Sequence, residues 1–185
     1  MYGIVNQAIR DLVVDQFGID KWSQIKELSG IHYDFFVSNE AYEDNITYEL
    51  VGAASEVLQI SSEQVLEAFG EYWVLKTGLE KYGDLMRAGG KDFVEFLLNL
   101  PNFHSRIMLI YPKLSPPEFT VEKLSSEKLI LHYYSERKGL TAFVIGLIRG
   151  IAKMYETQID IKLLESVKGS TWHDEFEVRI LKMSE

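Results

Sequence analysis

Lys128-Leu-Ile-Leu-His-Tyr-Tyr-Ser-Glu-Arg137 is the stretch from which the rest of the chain is read. It has the texture of a strand, and Tyr133, Ser135 and Arg137 fall two residues apart, so their side chains leave one face of it. Just upstream, Glu118 to Leu124 reads as a second strand, joined to the first by the polar turn Ser125-Ser126-Glu127. Downstream, Leu140 to Tyr155 is an apolar helix. Ile159, Ile161 and Leu163, then Phe176, Val178 and Ile180, alternate as two more strands. The order β-β-α-β-β predicts a four-stranded antiparallel sheet carrying one helix.

Before the sheet the pattern is helical. Pro112, Pro116 and Pro117 mark the boundary, since proline ends helices. Residues 2 to 17 form an amphipathic helix with Val5, Ala8, Ile9, Leu12 and Val13 on one side, and a short helix follows around Trp22 to Leu28. Residues 34 to 43 are polar and irregular, and Asn45 to Leu58 is helical again. Ser61 and Gln64 have capping-box spacing and start a helix through Trp73, and Gly89-Gly90 closes a short helix after it. The chain is therefore read as one α+β domain over residues 1–185, with a helical N-terminal lobe and a C-terminal lobe built on the sheet.

Between Gly90 and Pro112 lies Asp92 to Tyr111. Leu97, Leu100, Pro101, His104, Ile107, Met108 and Tyr111 form one stripe at helical spacing, with His104 in its middle. An imidazole among aliphatic side chains is either a core histidine bonded to some backbone carbonyl or a ligand aimed at a buried cofactor. The Tyr133-Ser135-Arg137 row has two readings as well. It is a solvated sheet face, or a set of donors suited to a pair of carboxylates, with the guanidinium as a charge-assisted fork. A haem would satisfy both sites at once, with an iron for the imidazole and two propionates for the row.

Composition sets bounds. The net charge of −9 and the pI near 5.0 argue against a nucleic-acid or anionic-membrane partner. Without cysteine there is no disulfide, zinc-thiolate site, thiolate-ligated haem or covalent haem attachment, so any metal must be held by His or carboxylate. The N-terminus lacks a basic segment followed by an apolar one, and no apolar run approaches the roughly 20 residues that span a bilayer. The expected location is cytoplasmic. Phosphate-binding glycine loops are absent, and the scattered carboxylates form no hydrolase-like pair. His132 points to the strand face opposite Tyr133, while His32 and His173 are placed in polar, turn-like surroundings, and none of the three is assigned a ligand role.

The chain resembles the H-NOX domain, the haem nitric oxide/oxygen binding module known as stand-alone bacterial proteins and as the sensor of the soluble guanylate cyclase beta subunit. The resemblance rests on Met1-Tyr-Gly-Ile-Val-Asn-Gln-Ala8, Ala68-Phe-Gly70, Leu100-x-x-x-His104, Pro117, Leu129 to Arg137 with Gly139-Leu140, and Ile145-Gly-Leu-Ile148. It implies a non-covalent haem b between the lobes, with residues 1–63 approximating the distal helical lobe and 64–185 the proximal lobe. His104 would be the iron ligand and Tyr133, Ser135 and Arg137 the propionate holders. Pro117 would press on the macrocycle, and Val5, Trp73, Phe143 and Ile145 would line the distal side. Members that bind oxygen carry a tyrosine at the position of Phe143, which cannot donate a hydrogen bond. Trp73 offers the nearby indole N–H, although its mostly apolar area suits packing. Pro101 stands where many relatives have a polar residue, so the helix is expected to kink or restart there.

The implied activity is gas sensing rather than catalysis. Ferrous haem would bind nitric oxide and carbon monoxide, with signalling in trans to a histidine kinase or a cyclic-dinucleotide enzyme. An oxygen sensor would need Trp73 as donor. A haem peroxidase or oxygenase would need a distal His or Arg, which the proposed wall lacks. A haem-free interaction module would be colourless and would leave the Tyr133-Ser135-Arg137 row without a purpose.

Overall fold

The computed structural model describes residues 1–111, 115–169 and 171–181. Four helices build the N-terminal part: α1 (Gly3–Phe17), α2 (Ile19–Ser29), α3 (Asp44–Leu58) and α4 (Ser62–Tyr72). Gly18 and Gly30 follow the first two helices with φ of 85° and 67°, conformations that glycine adopts without steric cost. Ser61 caps α4 as the sequence predicts. Its hydroxyl accepts from the Gln64 N–H while the Gln64 side chain accepts from the Ser61 N–H, closing the capping box. Ile9, Leu12, Val13, Trp22, Ile25, Leu50, Ala54 and Phe69 are buried together as the first apolar cluster.

Beyond Tyr72 the helix does not stop at Trp73. It widens into a π-helical turn, Trp73–Gly78, and then continues as α5 (Leu79–Arg87), which is kinked at Tyr82 where φ is −132°. The segment over 92–111 is two helices, the restart being one of the two outcomes expected at Pro101. Asp92 caps α6 (Phe93–Leu98) through the Glu95 N–H, and Asn99 interrupts before α7 (Leu100–Ile110), which has Pro101 in its first turn. Proline there loses no hydrogen bond, so it restarts the helix instead of kinking it. The stripe is accordingly uneven: Leu97, Leu100 and Ile107 are buried, whereas Pro101 and Met108 are exposed.

The sheet has order β1-β2-β4-β3 and every pairing is antiparallel: β1 (Glu118–Lys123), β2 (Lys128–Ser135), β3 (Ile159–Lys168) and β4 (Trp172–Ile180). Helix α8 (Thr141–Met154) crosses from β2 to β3. Leu129, Leu131 and Tyr133 of β2 and Phe176 and Val178 of β4 bury one face of the sheet under Val144, Ile148 and Ile151 of α8, forming a second cluster with Phe93, Phe96 and Leu97. Helices α4 and α8 meet almost backbone to backbone. A Cβ on Gly70 would lie 2.7 Å from the Leu147 nitrogen, and one on Gly146 2.9 Å from the Glu67 carbonyl carbon, so only glycine permits the approach. The α+β architecture is as the sequence predicts. Two expectations differ: β2 ends at Ser135 instead of Arg137, and His173 lies within β4 instead of in a turn. Pro112 lies outside the described residues.

Candidate functional site

His104 sits half-buried on α7, at the sheet end of the molecule. Its ring lies 5.6 Å from that of Phe119 on β1 and 6.0 Å from that of Phe103, and Phe119 in turn lies 5.2 Å from Tyr133 on β2. No hydrogen bond reaches the imidazole among the described residues, so the core-histidine reading lacks its carbonyl. Desolvation lowers the pKa of the ring to about 4, which keeps it neutral with a lone pair available for a metal. Pro117 lies two residues before Phe119, immediately before β1 begins.

The row at the end of β2 is partly assembled. Tyr133 and Ser135 are buried. Burial raises the Tyr133 phenol, while a hydrogen bond with the Ser135 hydroxyl opposes the rise. Arg137 stands past the strand end, in a turn that Ser135 stabilises by accepting from the Arg137 backbone N–H at 3.0 Å. Its guanidinium is not part of a flat strand face. Nε donates to Asp44 at 2.7 Å and an Nη donates to the Ser115 carbonyl at 2.8 Å. Asp44, the first residue of α3, also receives the Met1 ammonium, and Tyr48 one turn later donates to the Lys138 carbonyl at 3.0 Å. Asp44, Tyr48, Glu136, Arg137 and Lys138 thus surround a polar recess that joins the N-terminal helices to the end of β2. Sequence reading missed Asp44 and Tyr48. Neither carries a local signal, because they lie 93 and 90 residues from their partners.

The four residues expected on the other side are divided between the two clusters. Phe143 packs on Phe69 with ring centroids 4.8 Å apart, and Trp73, at the start of the π-helical turn, meets the same Phe69 edge-on at 6.2 Å. Val5 joins them on the first cluster, Trp73 touches both clusters, and Ile145 packs on the second. All four are partly buried and all are apolar but for the indole N–H, which has no hydrogen-bond partner among the described residues. No charged side chain belongs to this wall.

Two further residues hold α7. The Tyr82 hydroxyl, at the kink of α5, hydrogen-bonds the Tyr111 hydroxyl just past the end of α7, and Tyr2 stacks edge-on against Tyr111 at 4.9 Å. The helix bearing His104 is therefore tied at its far end to both the N-terminus and α5. The donor set fits a haem: a neutral imidazole without a hydrogen-bond partner among the described residues, apolar aromatic walls, and hydroxyl and guanidinium donors at one edge. Among the described residues no three His, Asp or Glu side chains converge as a metal site. His104 would therefore supply one ligand of a metal whose other ligands come from a bound group or water.

Comparison with known proteins shows the family. The family model described as Haem-NO-binding matches residues 2–163. Two soluble guanylate cyclases of Caenorhabditis elegans are similar: gcy-31 is 30% identical over 89% of this chain, and gcy-32 is 33% identical over 92% of it. The chain spans about a quarter of each, 24% and 25% of their lengths. An H-NOX protein from S. oneidensis in the Fe(II)NO ligation state superposes with a TM-score of 0.86 at 21% identity, covering 98% of this chain and 100% of that one. An unliganded Fe(II) H-NOX mutant from K. algicida gives 0.85 at 23%, covering 99% and 98%. With the match to the family model extending over most of the sequence, the chain belongs to the Haem-NO-binding family, the H-NOX haem-binding gas-sensor domains.

Proposed function

We propose that this domain senses nitric oxide through a haem b held by His104, with Tyr133, Ser135 and Arg137 on the propionates and Pro117 against the macrocycle. The observation that carries the reading is the half-buried, neutral His104, which has aromatic neighbours and no hydrogen-bond partner among the described residues. A ferrous haem held by His104 would supply an iron able to bind diatomic gases.

The residues proposed for that face select among gases. Bound oxygen draws negative charge and is retained by a hydrogen-bond donor, whereas nitric oxide and carbon monoxide depend far less on one. Phe143 offers none, and its ring is spent on packing against Phe69. The Trp73 N–H is the one donor of the set, and its edge-on contact with Phe69 supports its role as a packing residue. On the other side, α7 is fastened at Tyr111 and bordered by Phe119 of β1. A change in the hold on His104 would thus be felt at the Tyr82–Tyr111 link and at β1. We infer that a partner protein, a histidine kinase or a cyclic-dinucleotide enzyme, reads this change in trans from a domain that is not itself catalytic. No helix among the described residues is long and apolar enough to cross a membrane, and we propose a cytoplasmic setting.

The test is the visible spectrum of reduced, haem-loaded protein under argon, after nitric oxide, and after opening to air. The proposal expects a shifted Soret band with nitric oxide and no lasting shift in air. A stable new band in air would favour oxygen as the ligand, with Trp73 as donor.

A further inference from the structure

The outer face of the sheet, turned away from α8 and the proposed haem side, carries a second histidine arrangement. His132 of β2 and His173 of β4 lie on diagonal positions of adjacent strands, with the His132 Nδ1 3.2 Å from the His173 Nε2 and their rings inclined by 22°. Tyr134 stacks on His173 at 4.3 Å and 6°, fixing that ring between a phenol and the neighbouring imidazole. Glu175, the cross-strand partner of His132, puts a carboxylate oxygen 3.7 Å from the same Nδ1. Both histidines are half-buried, so the pair is held in place yet open on one side.

We propose that His132 and His173 form a two-imidazole binding site for a divalent transition-metal ion of the zinc or copper class. Metal–imidazole bonds of about 2.0–2.1 Å at a tetrahedral angle put two ligand nitrogens about 3.3–3.4 Å apart, close to the spacing found here. Without an ion these nitrogens share a hydrogen bond, one ring donating to the other; binding puts the donor ring in its other tautomer and turns both lone pairs toward the shared ion. Glu175 supplies negative charge beside the pair, and Glu118 and Glu165, the register partners of Tyr134 and Glu175, add to it from β1 and β3. Imidazole ligands select zinc and copper over calcium and magnesium. Since no third side chain closes the shell among the described residues, water or a docking partner completes it. The ion would pin β2 to β4, and β2 is the strand that ends in Tyr133 and Ser135. The site lies apart from His104 and stands whether or not the haem assignment holds.

The experiment is a titration of zinc(II) into haem-loaded protein against a chromophoric chelator, with His132→Gln and His173→Gln in parallel. Glutamine keeps a polar side chain at each position, and an unchanged haem spectrum verifies that each variant is folded. One equivalent of zinc bound by the native chain, weakened at least about tenfold by each substitution, is the expected result. Copper(II) bound at the same site should show nitrogen couplings from two imidazoles in its paramagnetic resonance spectrum. Absence of zinc binding, or equal binding by both variants and the native chain, would overturn the proposal. Loss of binding in a His32→Gln variant instead would also overturn it.

Discussion

The close approach of α4 and α8 makes a quantitative demand on Gly146. Alanine there would place its Cβ 2.9 Å from the Glu67 carbonyl carbon and 3.0 Å from the Glu71 nitrogen, against an optimal separation of about 3.5–4.0 Å. The two obstructing groups, the Glu67 carbonyl, whose oxygen lies nearer still, and the Glu71 amide, are helix backbone and cannot rotate aside, so the helices must separate by about an ångström along their contact. Overpacking of this kind costs about 1–3 kcal/mol, and two backbone obstacles put Gly146→Ala at the upper end. The gain in helix propensity, about 1 kcal/mol, leaves a net loss of about 2 kcal/mol. For a chain of this size that is a fall in Tm of about 4–8 °C.

Gly52, inside α3 with nothing within 4 Å of its added Cβ, is the matched control. Gly52→Ala should stabilise by about 0.5–1 kcal/mol, because only the chain entropy changes. Urea unfolding followed by far-ultraviolet circular dichroism measures both. A Gly146→Ala chain as stable as the native one, or the same sign of effect at both glycines, would refute the reasoning.

Phe143→Tyr supplies the donor that the wall lacks. It should raise oxygen affinity by about one to two decades, the worth of a charge-assisted hydrogen bond, while nitric oxide affinity changes little. Gas titrations of the reduced haem protein check this, and an unchanged oxygen affinity would count against Phe143 facing the ligand. At Asp44, burial alone would raise the carboxyl, but the Met1 ammonium and the Arg137 guanidinium outweigh it and hold the group below its usual value. A depressed carboxylate contributes stability that is present above the unfolded value of about 3.9 and lost as pH falls through the folded one. Acid unfolding of the haem-free chain should therefore lose part of its steepness below that pH in Asp44→Asn. Superimposable curves for the two proteins would remove Asp44 from the account.

What could be read from sequence was what local rules govern. The Ser61–Gln64 capping box and the strand alternation around Phe176 act within a few residues, and the structure has them where the pattern puts them. The helix through Trp73 was read correctly to Tyr72. The π-helical turn that follows was not: its Val74 lies against Gly150 of α8 and its Gly78 against Met86, tertiary contacts that no periodicity encodes. Arg137 illustrates the same limit at the candidate site. Its spacing from Ser135 suggested a continuous strand face, while its real position is fixed by Asp44, 93 residues away, and by a serine-stabilised turn. His173 was misplaced because its polar neighbours resemble a turn; its strand position rests on pairing with β2 and β3. His104 could be located by pattern, but the lack of a hydrogen-bond partner among the described residues could be seen only in three dimensions.

His104 as the haem ligand is the central claim, and His104→Gly tests it most directly. The variant keeps the walls formed by Phe103 and Phe119 but removes the imidazole. Reduced, haem-loaded variant protein should show a Soret band displaced from that of the native chain, and added free imidazole should restore the native spectrum by occupying the space left on α7. A variant whose spectrum matches the native one without imidazole would show that the iron is held elsewhere and would contradict the account.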